Sequence, residues 1–187
     1  MMDRARGYAA RHGLELRDRL GFGKDGTVWL TNERSAVKAL RHAEPYQREV
    51  AAYRRLSRLG VVEVNGLFVP QFIRSDDELL VFEMTIVQPP FILDFASAYL
   101  DNDAPVFPSD VYQEWRERLA EEFDDDWPRA RLVLARLAGM GVHVLDPHPR
   151  NMDFGRAGGA GGTDGAGEAG GSGEAGAAGG AGGARDA

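Results

Sequence analysis

The 187-residue sequence contains no cysteine, which excludes disulfide bonds and thiolate metal sites. It contains no apolar run of the roughly 20 residues that a membrane-spanning helix needs, and its first residues lack the apolar core of a secretory signal peptide. Basic residues are outnumbered by acidic ones, 22 against 29, and they form no basic stripe. We therefore expect no nucleic-acid partner, no membrane partner and a cytoplasmic location.

Residues 156–187 also lack any large apolar side chain, since 14 of them are glycine and 10 are alanine. Such a segment cannot bury enough surface to offset the entropy lost on ordering, so we expect a disordered tail that is dispensable for folding. Residues 1–155 remain for one folded domain, which is long enough to bury a hydrophobic core.

A glycine-rich segment near the N-terminus reads G-F-G-K-D-G-T-V. At Gly21, Gly23 and Gly26 no Cβ atom stands in the way of a phosphate, so backbone N–H groups can approach it closely. Glycines at this spacing also mark dinucleotide sites. Val28 and the hairpin-length gap to Lys38, twelve residues after the last glycine, favour a phosphate-binding loop between two strands instead.

A second pattern, G-V-H-V-L-D-P-H-P-R-N, ends at Asn151 and contains D-x-x-x-x-N. Its aspartate is Asp146, and a carboxylate can orient a hydroxyl group and accept its proton. The amide oxygen of Asn151 is a hard ligand of the kind that Mg²⁺ prefers.

In this order, the two patterns resemble those of the protein-kinase-like superfamily, and the D-x-H-P-x-N form is closest to aminoglycoside and other small-molecule kinases. The resemblance implies an α+β, two-lobed fold, in which an antiparallel N-lobe sheet and a C-helix precede an abbreviated helical C-lobe. It also implies an ATP-dependent phosphotransferase that uses Mg²⁺, acts on an unknown hydroxyl-bearing substrate and has Asp146 as catalytic base. The alternative is a nucleotide-binding pseudokinase that acts as a scaffold.

By the same resemblance, Lys38 contacts the nucleotide phosphates and pairs with an acidic residue of the C-helix. Glu49 is the candidate, because it falls in the first turns of a predicted helix. Its rival Glu44 precedes Pro45 and is therefore predicted to lie in a loop. The structural alternatives are a solvated lysine on an edge strand and an acid on a solvated helix face.

The apolar run that ends at Met84 resembles the strand that enters a kinase hinge. The resemblance makes Phe82 the gatekeeper at the rear of the pocket. It makes Glu83, Met84 and Thr85 the hinge, whose backbone groups bind adenine. Phe82 and Met84 are equally compatible with an ordinary core.

His148 occupies the position of the catalytic-loop lysine of protein kinases. There it would hydrogen-bond to the base Asp146 or to the transferred phosphate, or it would be a structural residue that packs the loop. For Asp146 the alternative is an aspartate before Pro147 in a common turn.

One departure concerns the metal site. A kinase places a strand, a turn and a second strand between the catalytic-loop asparagine and D-F-G, whose aspartate holds magnesium. Here D-F-G follows Asn151 almost directly, at Asp153. The resemblance makes Asn151 a metal ligand. Because residues two apart on an extended strand point to the same side, Asp153 is predicted as a second ligand that replaces the missing D-F-G carboxylate. The alternative is that Asp153 caps the strand end in solvent.

Apolar residues at helical spacing predict α-helices at residues 3–12, 45–59, 92–100, 110–123 and 127–139. Alternating or continuous apolar residues predict strands at residues 14–20, 27–31, 35–40 and 78–84. This order, with most strands before most helices, indicates an α+β protein.

Overall fold

The computed structural model describes residues 1–155, and the predicted tail at residues 156–187 lies outside the described residues. In chain order, the described helices and strands are α1 Met2–His12, β1 Leu16–Phe22, β2 Gly26–Thr31, β3 Ser35–Leu40, α2 Ala43–Arg58, β4 Glu63–Val64, β5 Leu67–Phe68, β6 Phe72–Asp76, β7 Val81–Thr85, β8 Phe91–Ile92, β9 Ala98–Leu100, α3 Ser109–Phe123, α4 Trp127–Gly139, β10 Val142–Val144 and β11 Met152–Asp153.

A five-stranded antiparallel sheet, in the spatial order β1-β2-β3-β7-β6, organises the first half of the chain. Its third strand is buried along its whole length, and the side chains of that strand alternate between two faces. Val37 and Ala39 face α1 and share a core with Tyr8. Ala36 and Leu40 face α2 and belong to the main core. The sheet is therefore covered by one helix on each side.

The short strands β8 and β11 lie side by side, although 59 residues of chain separate Ile92 from its partner residue in β11. The two belong to a sheet in the order β11-β8-β5-β4, and β9 pairs separately with β10. The helices α3 and α4 pack on the main core through Leu119, Phe123, Ala130, Val133 and Leu137. Strands that precede α3 and α4 in the chain are thus paired with strands that follow them.

The predicted α+β class, with an antiparallel sheet and one helix ahead of a small helical part, is confirmed. The predicted helix at residues 92–100 is wrong, because the segment forms parts of β8 and β9. These strands take their hydrogen-bond partners from far along the chain, and local periodicity does not detect such pairing. No helix within residues 1–155 is long and apolar enough to cross a bilayer.

Candidate active site

A cavity of about 800 Å³ opens between the glycine-rich segment, α2, the end of β7 and the loop that joins β10 to β11. Its volume falls in the range usual for small-molecule sites. The predicted site residues that line it are Gly21, Gly23, Gly26, Val28, Lys38, Glu49, Thr85, Asp146, His148 and Asn151. The remaining three, Phe82, Glu83 and Asp153, are not among the residues that line the cavity.

The glycine-rich segment leaves its first two glycines open toward the cavity. A Cβ atom at Gly21 or Gly23 would meet nothing within 4 Å. At Gly26 it would lie 2.8 Å from the backbone oxygen of Ala39, because β2 and β3 pair closely at this point. Gly26 is therefore needed for strand packing, whereas Gly21 and Gly23 leave free space for a ligand.

Lys38 forms a buried ion pair with α2. Its Nζ lies 2.7 Å from Glu49 Oε1, and the two side chains are 9% and 0% exposed. A second carboxylate, that of Asp94, lies 3.4 Å from the same Nζ. Burial alone lowers the pKa of Lys38, but the carboxylates of Glu49 and Asp94 outweigh it and raise that pKa above its ordinary value. Lys38 is thus held as a cation at the cavity wall.

The buried environment of Glu49 disfavours the charged form of its carboxyl group. Burial raises the pKa of Glu49 to about 7, and the ammonium group of Lys38 acts against this rise. The rival acid Glu44 lies in the first turn of α2, not in a loop, and pairs with Arg48 on the exposed side of the helix.

Of the three predicted hinge residues, Met84 and Thr85 line the cavity, and the lining continues along the chain to Pro89. Phe82, which precedes Met84 on the same face of β7, is fully buried. Its ring packs on Tyr53, with 5.5 Å between centroids, behind the cavity wall.

The pleat of β7 turns the side chain of Glu83 toward α1. Its carboxylate accepts hydrogen bonds from the hydroxyl of Tyr8 at 3.1 Å and from Nε of Arg74 at 2.7 Å, and it also accepts from Ser35. Burial by itself raises the pKa of Glu83, but these hydrogen bonds hold it below its ordinary value. The side chain of Glu83 therefore stabilises the sheet on the face opposite the cavity.

Asp146 stands at the mouth of the cavity, with its side chain 73% exposed. The loop around it is anchored by Trp115 of α3, whose Nε1 donates to the carbonyl oxygen of Leu145 at 2.8 Å. Ser97 Oγ accepts a 3.3 Å hydrogen bond from the backbone N–H of Asp146. The carboxylate itself has one charged neighbour among the described residues, Arg118, with Nη2 3.6 Å from Oδ1. A ligand in the cavity can therefore reach this carboxylate.

His148 has one ring nitrogen engaged within the loop. Its Nδ1 accepts from the backbone N–H of Arg150 at 3.0 Å, and its carbonyl oxygen accepts from the N–H groups of Asn151 and Met152. The ring therefore carries its proton on Nε2 when neutral. The Nδ1 contact is the structural role that the sequence left open, and Nε2 remains as a donor.

Asp94 is the cavity residue that sequence reasoning missed. It follows β8, and the backbone N–H of Leu93 donates to the carbonyl oxygen of Asn151 at 2.7 Å, which places Asp94 beside the catalytic-loop asparagine. The Asp94 backbone is left-handed, with φ of 64°, and the side chain is 35% exposed. Phe95 packs edge-on against Tyr53 at 5.0 Å between centroids and anchors the turn.

Asp153, by contrast, lies away from the cavity. Its Oδ1 accepts a hydrogen bond of 2.7 Å from the N–H of Gly155, two residues on. This is the strand-end role that the sequence left as the alternative. An aspartate that does reach the cavity, Asp94, is also followed by a phenylalanine, and it lies upstream of α3 and α4. The sequence pattern that could have identified Asp94 is an aspartate and a phenylalanine after two apolar residues.

The donors present suit a magnesium ion shared with a ligand better than an ion held by the protein alone. No group of three or more His, Cys, Asp or Glu side chains able to hold a metal occurs within the described residues. Two residues with hard oxygen donors, Asp94 with its carboxylate and Asn151 with its amide, line the cavity. Mg²⁺ commonly takes one or two protein oxygens and completes its octahedron with water and phosphate.

No protein-family model matches the chain, and no curated protein matches it either. Solved structures do match it, among them the following two. One is the streptomycin–ATP–APH(2'')-IIa ternary complex, with 21% identity, a TM-score of 0.36, and coverage of 47% of this chain and 29% of that one. The other is the ADP-bound aminoglycoside phosphotransferase APH(2'')-Ib, with 16% identity, a TM-score of 0.41, and coverage of 66% and 51%.

This chain thus spans about half, or less, of the length of those two proteins. At such identities and TM-scores, the likeness says nothing about the substrate or the activity of this chain. The chain is structurally similar, over part of its length, to these two aminoglycoside phosphotransferase structures.

Proposed function

We propose that this chain is an ATP-dependent phosphotransferase that binds MgATP in the cavity and transfers the γ-phosphoryl group to a hydroxyl acceptor. One observation carries the proposal. Lys38, Asp94, Asp146 and Asn151 come from three separate segments of the chain, namely β3, the turn after β8 and the loop between β10 and β11, and all four line one cavity.

The nucleotide end of the cavity is formed by the sheet and the hinge. Val28 and Met84 offer apolar surface to a base, and the backbone of the hinge from Thr85 onward offers hydrogen-bonding groups at its edge. The glycine-rich segment would cover the phosphates, and Lys38 would donate charge-assisted hydrogen bonds to them. Glu49 would hold Lys38 in position.

Asp94 and Asn151 would hold the magnesium ion together with the phosphates, because both offer hard oxygen donors to the cavity and Asp94 also contacts Lys38. A bound magnesium ion neutralises charge on the transferred phosphoryl group. In this proposal Asp94 takes the role that was predicted for Asp153.

Asp146 would act as the base. The acceptor hydroxyl loses its proton to the Asp146 carboxylate, and the acceptor oxygen forms a bond to the γ-phosphorus. The bond between that phosphorus and the β–γ bridging oxygen breaks, and its electron pair leaves with ADP. His148 can donate from Nε2 to the group being transferred.

A second candidate function is a nucleotide-binding pseudokinase. The observation that favours it is the contact of Arg118 with Asp146, because the guanidinium group occupies the approach of a hydroxyl group to this carboxylate.

Melting temperatures with ATP, with and without Mg²⁺, test the nucleotide site. We expect ATP to raise the melting temperature strongly only with Mg²⁺, since a ligand at 100 times its Kd adds about 2.7 kcal/mol of stability. ADP release is then followed at saturating MgATP. Magnesium-dependent binding without any ADP release would favour the pseudokinase, and the absence of ATP binding would exclude both functions.

A further inference from the structure

We infer that a second cavity, beside the hinge, binds an organic anion: a phosphate or carboxylate group carried on an apolar body. This cavity has a volume of about 630 Å³, within the range usual for small-molecule sites. Its lining includes two arginines, Arg17 and Arg34, and three aliphatic side chains, those of Leu20, Leu30 and Ile86. The site is separate from the one at which phosphotransfer is proposed.

The second cavity lies where the five-stranded sheet passes into the hinge. Arg34 directly precedes β3, and the first residue of β3 pairs with the last residue of β7. Ile86 directly follows β7, so Arg34 and Ile86 lie at the same end of the sheet. Arg17 is brought to this end by β1, because Leu16 pairs with Thr31, the last residue of β2. Three segments that are distant in the chain therefore meet around one opening.

An irregular stretch of β1 directs Arg17 toward this cavity. The pairing of β1 with β2 shifts register twice between Leu16 and Gly21. In a regular strand, Arg17 and Leu20 would point to opposite faces of the sheet, because successive side chains alternate. Bulges re-aim side chains, and here both residues line the same cavity. Leu20 is 50% exposed and therefore offers apolar surface to a ligand beside the Arg17 cation.

Arg34 ends the three-residue connection between β2 and β3. Its backbone is left-handed, with φ of 61°, and its N–H donates to the carbonyl oxygen of Thr31 at 3.2 Å. Three-residue hairpin loops commonly end on such a left-handed residue, and glycine adopts this conformation without strain. The geometry of the turn therefore does not explain an arginine here, whereas its side chain lines the cavity.

Neither arginine is neutralised by the rest of the described chain. The guanidinium groups of Arg17 and Arg34 make no hydrogen bond or ion pair with any other of residues 1–155. Their acidic neighbours in the sequence, Asp18 and Glu33, do not line the cavity, and neither does any other carboxylate of the described residues. Two unpaired guanidinium groups can hold one phosphate or carboxylate through charge-assisted, bidentate hydrogen bonds. The aliphatic wall would then contact the apolar part of the ligand.

The test uses four probes with one benzyl skeleton: benzyl phosphate, phenylacetate, benzyl alcohol and benzylamine. The two cavities share Leu20, Ile86 and Gln88, so calorimetry is done on the full chain saturated with Mg²⁺ and a non-hydrolysable ATP analogue. At fixed ionic strength, we expect the tighter of the two anions to bind at least about tenfold more tightly than benzyl alcohol, and benzylamine to bind least. The comparison of benzyl phosphate with phenylacetate distinguishes a phosphate-preferring from a carboxylate-preferring site. Inorganic phosphate, which lacks the apolar body, should bind more weakly than the tighter anion.

Variants then assign the anion to the second cavity. Arg17→Gln and Arg34→Gln should each weaken the tighter anion by about tenfold, because each removes a charge-assisted contact. Arg19→Gln is the matched control, since Arg19 is an exposed arginine of the same strand β1 that lines neither cavity, and its Kd should equal that of the wild type. Arg17 and Arg34 have no side-chain partner to lose, so both variants should keep the melting temperature of the wild type.

An anion affinity that survives both Arg17→Gln and Arg34→Gln would overturn the inference, because the anion would then bind elsewhere on the chain. The inference also fails if neither anion binds more tightly than benzyl alcohol, or if inorganic phosphate binds as tightly as the better benzyl anion. If the ATP analogue itself does not bind, the proposed phosphotransferase function fails. The same titrations without nucleotide then decide on the second cavity through the two arginine variants.

Discussion

Asp146→Asn is expected to lower the phosphotransfer rate by about 10²–10⁴ and to leave ATP affinity nearly unchanged. The amide keeps the shape of the side chain, but it cannot accept the proton of the acceptor hydroxyl. Asp146 is exposed at the cavity mouth and lies outside the ion-pair cluster of Lys38, so nucleotide binding does not depend on its charge. Single-turnover transfer at saturating MgATP, together with calorimetric ATP affinity, measures both effects.

Asp153→Asn is the matched control, since it makes the same chemical change at a carboxylate outside the cavity lining. Its transfer rate should equal that of the wild type. Equal rates in Asp146→Asn and the wild type would remove Asp146 from the mechanism and leave the pseudokinase as the better description.

Lys38→Ala is expected to lower both ATP affinity and the free energy of unfolding. The ammonium group is the partner of the fully buried Glu49, and its removal leaves a buried carboxylate without compensation. Loss of one partner of a buried ion pair typically costs about 3–5 kcal/mol. ATP affinity should fall by more than tenfold, because a charge-assisted contact to the phosphates is lost. Urea unfolding and calorimetry give the two values.

A double variant separates the two effects of Lys38. Lys38→Met with Glu49→Leu replaces the pair by apolar side chains, which should restore much of the stability but none of the ATP affinity. Unchanged stability and unchanged ATP affinity in Lys38→Ala would instead make Lys38 an unimportant lysine.

The cost of Lys38→Ala should also depend on pH. In the native protein, burial raises the pKa of Glu49 from 4.5 to about 7. The folded state therefore holds this proton more tightly than the unfolded state, and the resulting stability is complete below about 4.5 and is lost as the pH rises to about 7. Without the Lys38 ammonium group that pKa rises further, so the variant should lie closer to the wild type at pH 5 than at pH 8.

The parts of the site that sequence reasoning predicted are local motifs. Lys38 at a fixed distance from the glycines, and Asn151 five residues after Asp146, can be found without knowing which strands pair. Hydrophobic periodicity likewise located α2, α3 and α4, because a helix makes its backbone hydrogen bonds within its own segment.

The features of the site that sequence reasoning did not predict depend on strand pairing and on the pleat of the strands. Asp94 becomes a neighbour of Asn151 in the fold only because β8 pairs with β11, and α3 and α4 lie between these strands in the chain. No local sequence pattern predicts that pairing. Whether Phe82 or Met84 lines the cavity depends on how deeply each position of β7 is buried in the core. The direction of the Glu83 side chain, toward α1, likewise follows from the pleat of β7 and not from a local motif.

The most direct test of the shared cavity is the magnesium dependence of ATP affinity in the wild type, Asp94→Asn and Asp153→Asn. Because Asp94 also contacts Lys38, the informative quantity is the ratio of ATP dissociation constants without and with Mg²⁺, not either constant alone. We expect a large ratio in the wild type and in Asp153→Asn, and a ratio near one in Asp94→Asn. A ratio that survives in Asp94→Asn and disappears in Asp153→Asn would contradict the account, because the metal-binding carboxylate would then follow Asn151 along the chain.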